Sequence, residues 1–392
     1  MRVTHVITRL IVGGAQENTL ATVLGLRDRP GMDVRLISGP TIGPEGSLES
    51  VAARVPGLLV QVPALVRPVS PANDVRAGLQ LLRLFRQQRP DLVHTHSGKA
   101  GILGRWAAQR AGVPLIVHTI HGPSFGPFQG TLANFVFRAA ERWAARRTTH
   151  FIAVAEAMIR QYLDAGIGRP EQFTRIVSGF DLTPFQAALN SPELRARWGL
   201  RPGDFVVGTI ARLFALKGHD DLLEVAPALA QGLPQLKFLW VGDGSWRPRL
   251  ETRVQQLGLT GRVVFTGLVP PDAVPSLIGI MDMVVHLSRR EGLPRALPQA
   301  LAAGRPVVAY DCDGAREVCR DGETGFLLEP GDRSGLAQRL AQLAGDAALC
   351  ARLGDAGRRL VSAEFQLTRM IDAIESLYHR LELAREPGSV SS

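Results

Sequence analysis

Apolar positions along the chain fall in short runs that alternate with longer stretches of helical period. Val3–Ile7 reads as a short buried strand that runs into Gly13-Gly14 and then an amphipathic helix carrying Leu20, Val23 and Leu24. Similar runs follow at Val34–Ile37, Leu92–His94, Leu115–Thr119 and Phe151–Val154, with helical spacing between them, as in Leu79, Leu82 and Phe85. Apolar strands alternating with helices predict a parallel sheet covered on both faces. A proline-containing, strandless stretch, Thr183–Gly203, reads as a linker or hinge. The pattern then restarts at Phe205–Ile210, Leu236–Val241, Val263–Phe265, Met283–Leu287 and Pro306–Ala309. Leu367–Glu382 has the period of an amphipathic helix, and Glu386–Ser392 reads as a frayed tail.

The expected class is therefore α/β, with two facing Rossmann-like domains whose parallel sheets border a deep interdomain cleft. The expected boundaries are 1–182 for the first domain, 183–203 for the hinge and 204–365 for the second domain. Residues 366–385 form a helix expected to pack back toward the first domain, and 386–392 form a tail. A length of 392 residues agrees with two domains, since single cores rarely grow beyond roughly 250–300 residues. In open α/β sheets ligands gather at the carboxyl ends of strands, so the polar residues there are the candidates for chemistry.

Composition narrows the function classes. The chain is 45% hydrophobic and 21% charged, which excludes disorder and coiled coil. Three cysteines, Cys312, Cys319 and Cys350, exclude a disulfide scaffold and suit a reducing compartment. No run of about 18 apolar residues occurs, and the N-terminus lacks the apolar core of a signal peptide, so a cytoplasmic protein is expected. The net charge of +9 favours anionic partners. No helix-turn-helix signature, finger spacing or aromatic-interleaved basic motif accompanies it, so nucleic acid is not expected. Leu132, Phe135, Val136, Ala139 and Trp143 share one helical stripe, with Arg138, Arg142 and Arg146 elsewhere. That pattern fits either a helix packed on a sheet with its arginines in water or one lying on anionic lipid at the inner face of the membrane.

Several strand ends carry chemistry. Gly13-Gly14 brings backbone amides close to a ligand at a helix N-terminus, a geometry suited to phosphate or, equally, to a plain tight turn. Arg212 and Lys217 follow the first strand of the second half, where two cations would clamp a diphosphate. Gly242-Asp243-Gly244 follows the next strand. Glu291-Gly292-Leu293-Pro294 sits on a turn after a strand, and Gln299 lies eight residues on, so both would face a ligand at the start of the intervening helix. Asp311-Cys312-Asp313-Gly314-Ala315-Arg316-Glu317 forms another strand-to-helix turn, whose amides would meet an anion. His94, His96 and His118 read as strand-end packing or hydrogen-bonding residues and lack a metal spacing.

This ordered series resembles the retaining GT-B glycosyltransferases of family 4, the glycosyltransferase group 1 type. The resemblance runs across nearly the whole chain. It includes Gly13-Gly14-Ala15-Gln16, Val93-His94-Thr95-His96-Ser97-Gly98-Lys99, His118-Thr119-Ile120-His121-Gly122, Arg212 with Lys217, Glu291-Gly292 and Gly322-Glu323-Thr324-Gly325. Gln299 departs from the pattern, standing where the family usually has a second Glu. The resemblance implies a nucleotide-sugar donor, UDP-sugar before GDP-sugar, bound by the second half without a metal or other cofactor. Arg212 and Lys217 would neutralise the leaving diphosphate, with Glu291 bonding the donor sugar and Gln299 the ribose. Gly13, Gly14, Gly242, Gly244, Gly292 and Leu293 would complete the donor site. His121 would lie beside the donor sugar, with a lipid-linked, polysaccharide or small-molecule acceptor in the first half. The rival expectations are another GT-B enzyme, such as a nucleotide-sugar epimerase, and a non-catalytic nucleotide-sugar-binding protein.

Overall fold

The computed structural model describes residues 1–43, 46–126 and 128–385, so the Glu386–Ser392 tail lies outside the described residues. The chain divides into two compact units, 1–180 with 367–392, and 181–366. The first is built on β1 (Arg2–Ile7), β2 (Asp33–Ser38), β3 (Leu59–Gln61), β4 (Leu92–His96), β5 (Leu115–Ile120), β6 (His150–Ala153) and β7 (Phe173–Arg175). These form one seven-stranded sheet in the order β3-β2-β1-β4-β5-β6-β7, with every pairing parallel. One face buries Val23, Leu26, Leu36 and Val117 with Met370, Ile371 and Ile374 of the C-terminal helix Leu367–Leu383. The other face buries Val6, Ile37, Leu81, Phe85 and Val93. Fully burying such a side chain stabilises by roughly 1.5–3 kcal/mol. In the helix Pro71–Gln88 the inward residues are Ala77, Gly78, Leu81 and Phe85, whereas Leu79 is 54% exposed. The stripe inferred from Leu79, Leu82 and Phe85 is thus rotated from the true one, because small residues line the contact with the neighbouring helix Gly98–Ala111.

The second unit holds β8 (Phe205–Ile210), β9 (Leu236–Val241), β10 (Val263–Gly267), β11 (Met283–His286), β12 (Val307–Tyr310) and β13 (Gly325–Leu328). Its six strands are ordered β10-β9-β8-β11-β12-β13 and are again parallel. The segment 183–203 contains the short helices Thr183–Gln186 and Pro192–Arg197 and belongs to this unit. Among the described residues no helix is long and apolar enough to cross a membrane, and the three cysteines are unpaired thiols.

One buried ion pair anchors the helix Thr131–Ala145 in the first unit. Arg105 and Glu141 are 0% and 1% exposed, with Arg105 Nη2 2.6 Å from Glu141 Oε2. The guanidinium also donates to Gly101 O at 2.8 Å and Thr148 Oγ1 at 3.3 Å. Removing one charge strands the other in a low-dielectric site. Glu141→Gln is therefore expected to lose about 3–5 kcal/mol in urea unfolding, while the apolar pair Arg105→Met with Glu141→Leu loses far less. Equal losses from the single and double variants would contradict this account of the pair.

Candidate active site

In the second unit, β8 and β11 are parallel neighbours, so the loops leaving their carboxyl ends share one edge of the sheet. The loop after β8 delivers Lys217 and the loop after β11 delivers Glu291, and the two side chains form an ion pair with only 18% and 19% exposure. Lys217 Nζ also lies 3.3 Å from Ser288 Oγ, and His286 Nε2 lies 3.2 Å from Glu291 Oε1. Burial alone would raise the Glu291 carboxyl. The charge of Lys217, with the contact to His286, outweighs it and holds the group well below the usual carboxylate range. Gly218 permits this approach. It has φ +75°, and a Cβ there would stand 2.3 Å from both Cβ and O of Leu287. The Arg289 amide closes the contact by donating to Leu216 O at 2.8 Å.

A second loop braces Glu291 from the other side. Asp313, at φ 52°, accepts the Glu291 backbone N–H at 2.7 Å, and the Gly314 N–H donates to Gly292 O at 3.0 Å. The amides of Ala315 and Glu317 are spent within the turn, on Cys312 O and Gly314 O. The Asp311–Glu317 turn, expected to offer amides to an anion, thus spends these three on the chain itself and braces the Glu291 loop. Burial, followed by the charge of Asp313, pushes the Cys312 thiol up to about 12, so it is inert near neutrality.

The remaining candidates sit in different surroundings. Arg212 is on the exposed part of its loop, its guanidinium 5.8 Å from the Phe214 ring centre. Gly242 and Gly244 are required by the chain itself, since a Cβ would come 2.2 Å from Ala211 O in the first case and 2.3 Å from Leu213 O in the second. Gly292 and Leu293 are buried in the Glu291 loop. Gln299 is half-buried in the helix Ala296–Ala302, and among the described residues its side chain has no hydrogen-bond partner. Gly13 and Gly14 start the helix Gly14–Arg27, whose N-terminus has no side-chain cap.

His121 follows β5 in the first unit and heads a set of polar side chains that period-two geometry places on one face of the sheet. His5 pairs in register with His94, and His96 with Thr119, so His5, His94, His96, Thr119 and His121 share that face. His96 Nδ1 lies 3.1 Å from His121 Nε2, and His5 Nδ1 lies 2.9 Å from His96 Nε2. His118 turns to the opposite face, where it meets Thr95 Oγ1 at 2.9 Å. Burial lowers the His121 imidazole to about 4 and that of His5 to about 3, so both are neutral at physiological pH. The H-x-H and T-x-H spacings of β4 and β5 carry this alignment in the sequence. The part played by His5 is legible only once β1 is placed beside β4.

The Lys217–Glu291 pair predicts a pH signature. In the wild type, the lowered carboxyl contributes stability that is full above its unfolded pKa and is lost as pH falls through the folded value. In Lys217→Ala, burial is left without its main opposing charge and raises the carboxyl, so stability falls as pH rises. The stability gap between the two proteins should widen from well below pH 4 up to about pH 7 and reach about 3 kcal/mol in denaturant titrations. A gap independent of pH would contradict the pairing.

Comparison with known proteins agrees with this geometry. Residues 13–178 match the glycosyl transferase 4-like domain, and residues 190–360 match the glycosyl transferases group 1 family. The chain is 30% identical over 326 residues to the UDP-Gal:alpha-D-GlcNAc-diphosphoundecaprenol alpha-1,3-galactosyltransferase of Escherichia coli, covering 81% of this chain and 82% of the relative. It is also 30% identical to the 2-deoxystreptamine glucosyltransferase of Streptomyces kanamyceticus, covering 73% of this chain and 76% of that one. The crystal structure of Anabaena Alr3699/HepE in complex with UDP and glucose superposes with a TM-score of 0.82 at 25% identity, covering 97% of this chain and all of that one. Two parallel α/β units of seven and six strands, with these matches, identify a GT-B glycosyltransferase, and the chain belongs to the glycosyl transferases group 1 family.

Proposed function

We propose that the protein moves a hexose-type sugar from a nucleotide-sugar donor, UDP-sugar in preference to GDP-sugar, to a glycolipid, polysaccharide or small-molecule acceptor with retention of anomeric configuration. The observation that carries this reading is the Lys217–Glu291 pair at the carboxyl edge of the second sheet. A pre-formed cation held by an internal carboxylate is a ready diphosphate site, because an incoming diphosphate takes over the ammonium and frees Glu291 for donor-sugar hydroxyls. Arg212, exposed on the same loop, adds a second cation. Gln299, whose amide has no internal partner among the described residues, is available to accept from one ribose hydroxyl and donate to the other. The UDP in the Anabaena neighbour and the UDP-galactose named for the Escherichia coli relative support a uridine donor.

The chemistry asks little of the protein beyond position and charge. The bond from the anomeric carbon to the diphosphate oxygen breaks as the acceptor oxygen bonds to the same face, and the acceptor proton passes to the departing diphosphate. Cations beside that diphosphate stabilise the charge that grows in the transition state. No protein nucleophile and no metal is needed in this scheme. On this reading the reaction runs in the cytoplasm, as a step of cell-envelope or polysaccharide synthesis.

In a panel of UDP- and GDP-sugars, one UDP-sugar should be consumed, and NMR of the product should show the donor's anomeric configuration. Arg212→Ala and Lys217→Ala should each cut turnover on the order of a hundredfold, with the double variant losing less than the product. Gln299→Ala should weaken an ordinary donor more than a 2′-deoxyribose one. Inverted product would overturn retention. Free UDP without transfer would favour an epimerase, and tight binding without turnover would favour a non-catalytic binding protein.

The same reading places the acceptor side against anionic lipid. On the helix Thr131–Ala145, Leu132, Phe135, Val136 and Trp143 are 77%, 68%, 52% and 40% exposed, while Glu141 is turned inward to Arg105. Arg142 and Arg146 are exposed beside them. Arg147 lies over the Trp143 ring at 3.8 Å, and burial together with Arg146 and Arg110 lowers its guanidinium. An apolar stripe flanked by crowded cations complements a negatively charged bilayer surface. Sedimentation with anionic vesicles should show binding that salt weakens and that Leu132→Ser with Phe135→Ser abolishes. Failure to bind at low salt would exclude attachment by this helix.

A further inference from the structure

The buried histidines of the first unit form a continuous chain of hydrogen-bonding atoms that ends at His121. His5, His94 and His96 are at most 1% exposed, and so is Tyr378, contributed by the C-terminal helix. Tyr378 Oη lies 2.5 Å from His94 Nδ1 and 3.5 Å from His5 Nε2. His94 Nε2 lies 2.6 Å from Thr119 Oγ1. The chain then continues from His5 Nδ1 to His96 Nε2 at 2.9 Å and from His96 Nδ1 to His121 Nε2 at 3.1 Å. The rings are also close to parallel, His96 being inclined 14° to His5 and 27° to His121 with centroids 5.2 and 5.3 Å apart, so the bonds run edge to edge.

Ring nitrogens of His5, His94 and His96 lie within 4.8 Å of one another, close enough to suggest a metal centre. Hydrogen bonding accounts for them better. All six ring nitrogens already face a partner, no carboxylate stands among them, and a divalent ion held by neutral imidazoles alone would bury its full charge.

A neutral imidazole has one donor nitrogen and one acceptor nitrogen, so choosing the direction of one bond sets every bond along the chain. A phenol is a better donor than a neutral imidazole, and the shorter contact is to His94, so the Tyr378 O–H donates to His94 Nδ1. The phenol oxygen is then left to accept from His5 Nε2–H. His5 Nδ1 must accept from His96 Nε2–H, and His96 Nδ1 from His121 Nε2–H. We infer that Tyr378, His5 and His96 are positioning residues that hold His121 as its Nε2–H tautomer, leaving Nδ1 as an acceptor for a ligand hydroxyl. The sugar-hydroxyl role rests on the family-based assignment of His121, whereas the tautomer follows from the chain alone.

Long-range proton–nitrogen correlation spectra of the histidine-labelled full-length protein test both parts. In the wild type, His121 should appear as a neutral Nε2–H imidazole with no titration between about pH 6 and about pH 8. Tyr378→Phe keeps the packing and removes the phenol, so His121 should shift to a mixture of tautomers. His5→Phe should do the same, and Tyr378→Phe carries the test if that variant fails to fold. Turnover in Tyr378→Phe should fall up to about tenfold, the worth of one misdirected hydrogen bond, with the donor KM little changed. A wild-type Nδ1–H tautomer, a tautomer unmoved in Tyr378→Phe, or stoichiometric bound metal on these rings would overturn the inference. A shifted tautomer with unchanged turnover would support the chain and overturn the sugar-contact role of His121 instead.

Discussion

Lys217 and Glu291 neutralise one another in a pocket where neither would be tolerated alone. A half-desolvated carboxylate costs several kcal/mol unless a cation offsets it, and here the cation arrives from the neighbouring strand's loop. The pair therefore ties together the carboxyl ends of β8 and β11 and fixes the edge of the sheet at which ligands of parallel α/β folds gather. On the proposed function it would also store an exchange: a diphosphate displacing Glu291 from the ammonium would meet a cation already desolvated and oriented, with the displaced carboxylate beside it as a hydroxyl acceptor.

Much of the surrounding backbone serves that arrangement. Gly218 lets one loop touch Leu287, and Gly242 and Gly244 let another lie against Ala211 and Leu213. Asp313 holds the Glu291 amide, and Gly314 holds the Gly292 carbonyl. Even nearby cations that look like phosphate ligands are committed elsewhere. Arg289 is bound to the buried Asp221 at 2.7 Å, and Arg333 reaches the same carboxylate at 3.2 Å. A positive side chain beside the site is thus not equivalent to one in it, and burial of the partner decides which is which.

The α/β repeat was legible because its central strands are short, largely apolar runs separated by stretches of helical period. The edge strands β3 and β7 were not, since each is only three residues long, with two half-buried and one exposed. The stripe of the helix Pro71–Gln88 misled because Ala77 and Gly78, rather than Leu79, form its contact face. In the site, Lys217 and Glu291 stood out by their position after strands, but their mutual pairing did not. Likewise Asp313 read as an anion-side turn, although its carboxylate is spent on the Glu291 amide. The histidine chain was hidden in β1, where His5 follows Thr4 between apolar residues and gains meaning only from its register with His94.

The exchange of Glu291 for a diphosphate at Lys217 can be measured directly by calorimetric titration of UDP, free of any sugar, into three proteins. Against the wild type, Lys217→Ala should bind UDP at least about tenfold more weakly, having lost a charge-assisted contact. Glu291→Gln should bind UDP as well as the wild type or better, since the ammonium is released from its internal partner, while sugar transfer is lost. Equal weakening of UDP by both substitutions would contradict the account, because the carboxylate would then be supporting the nucleotide rather than competing with it.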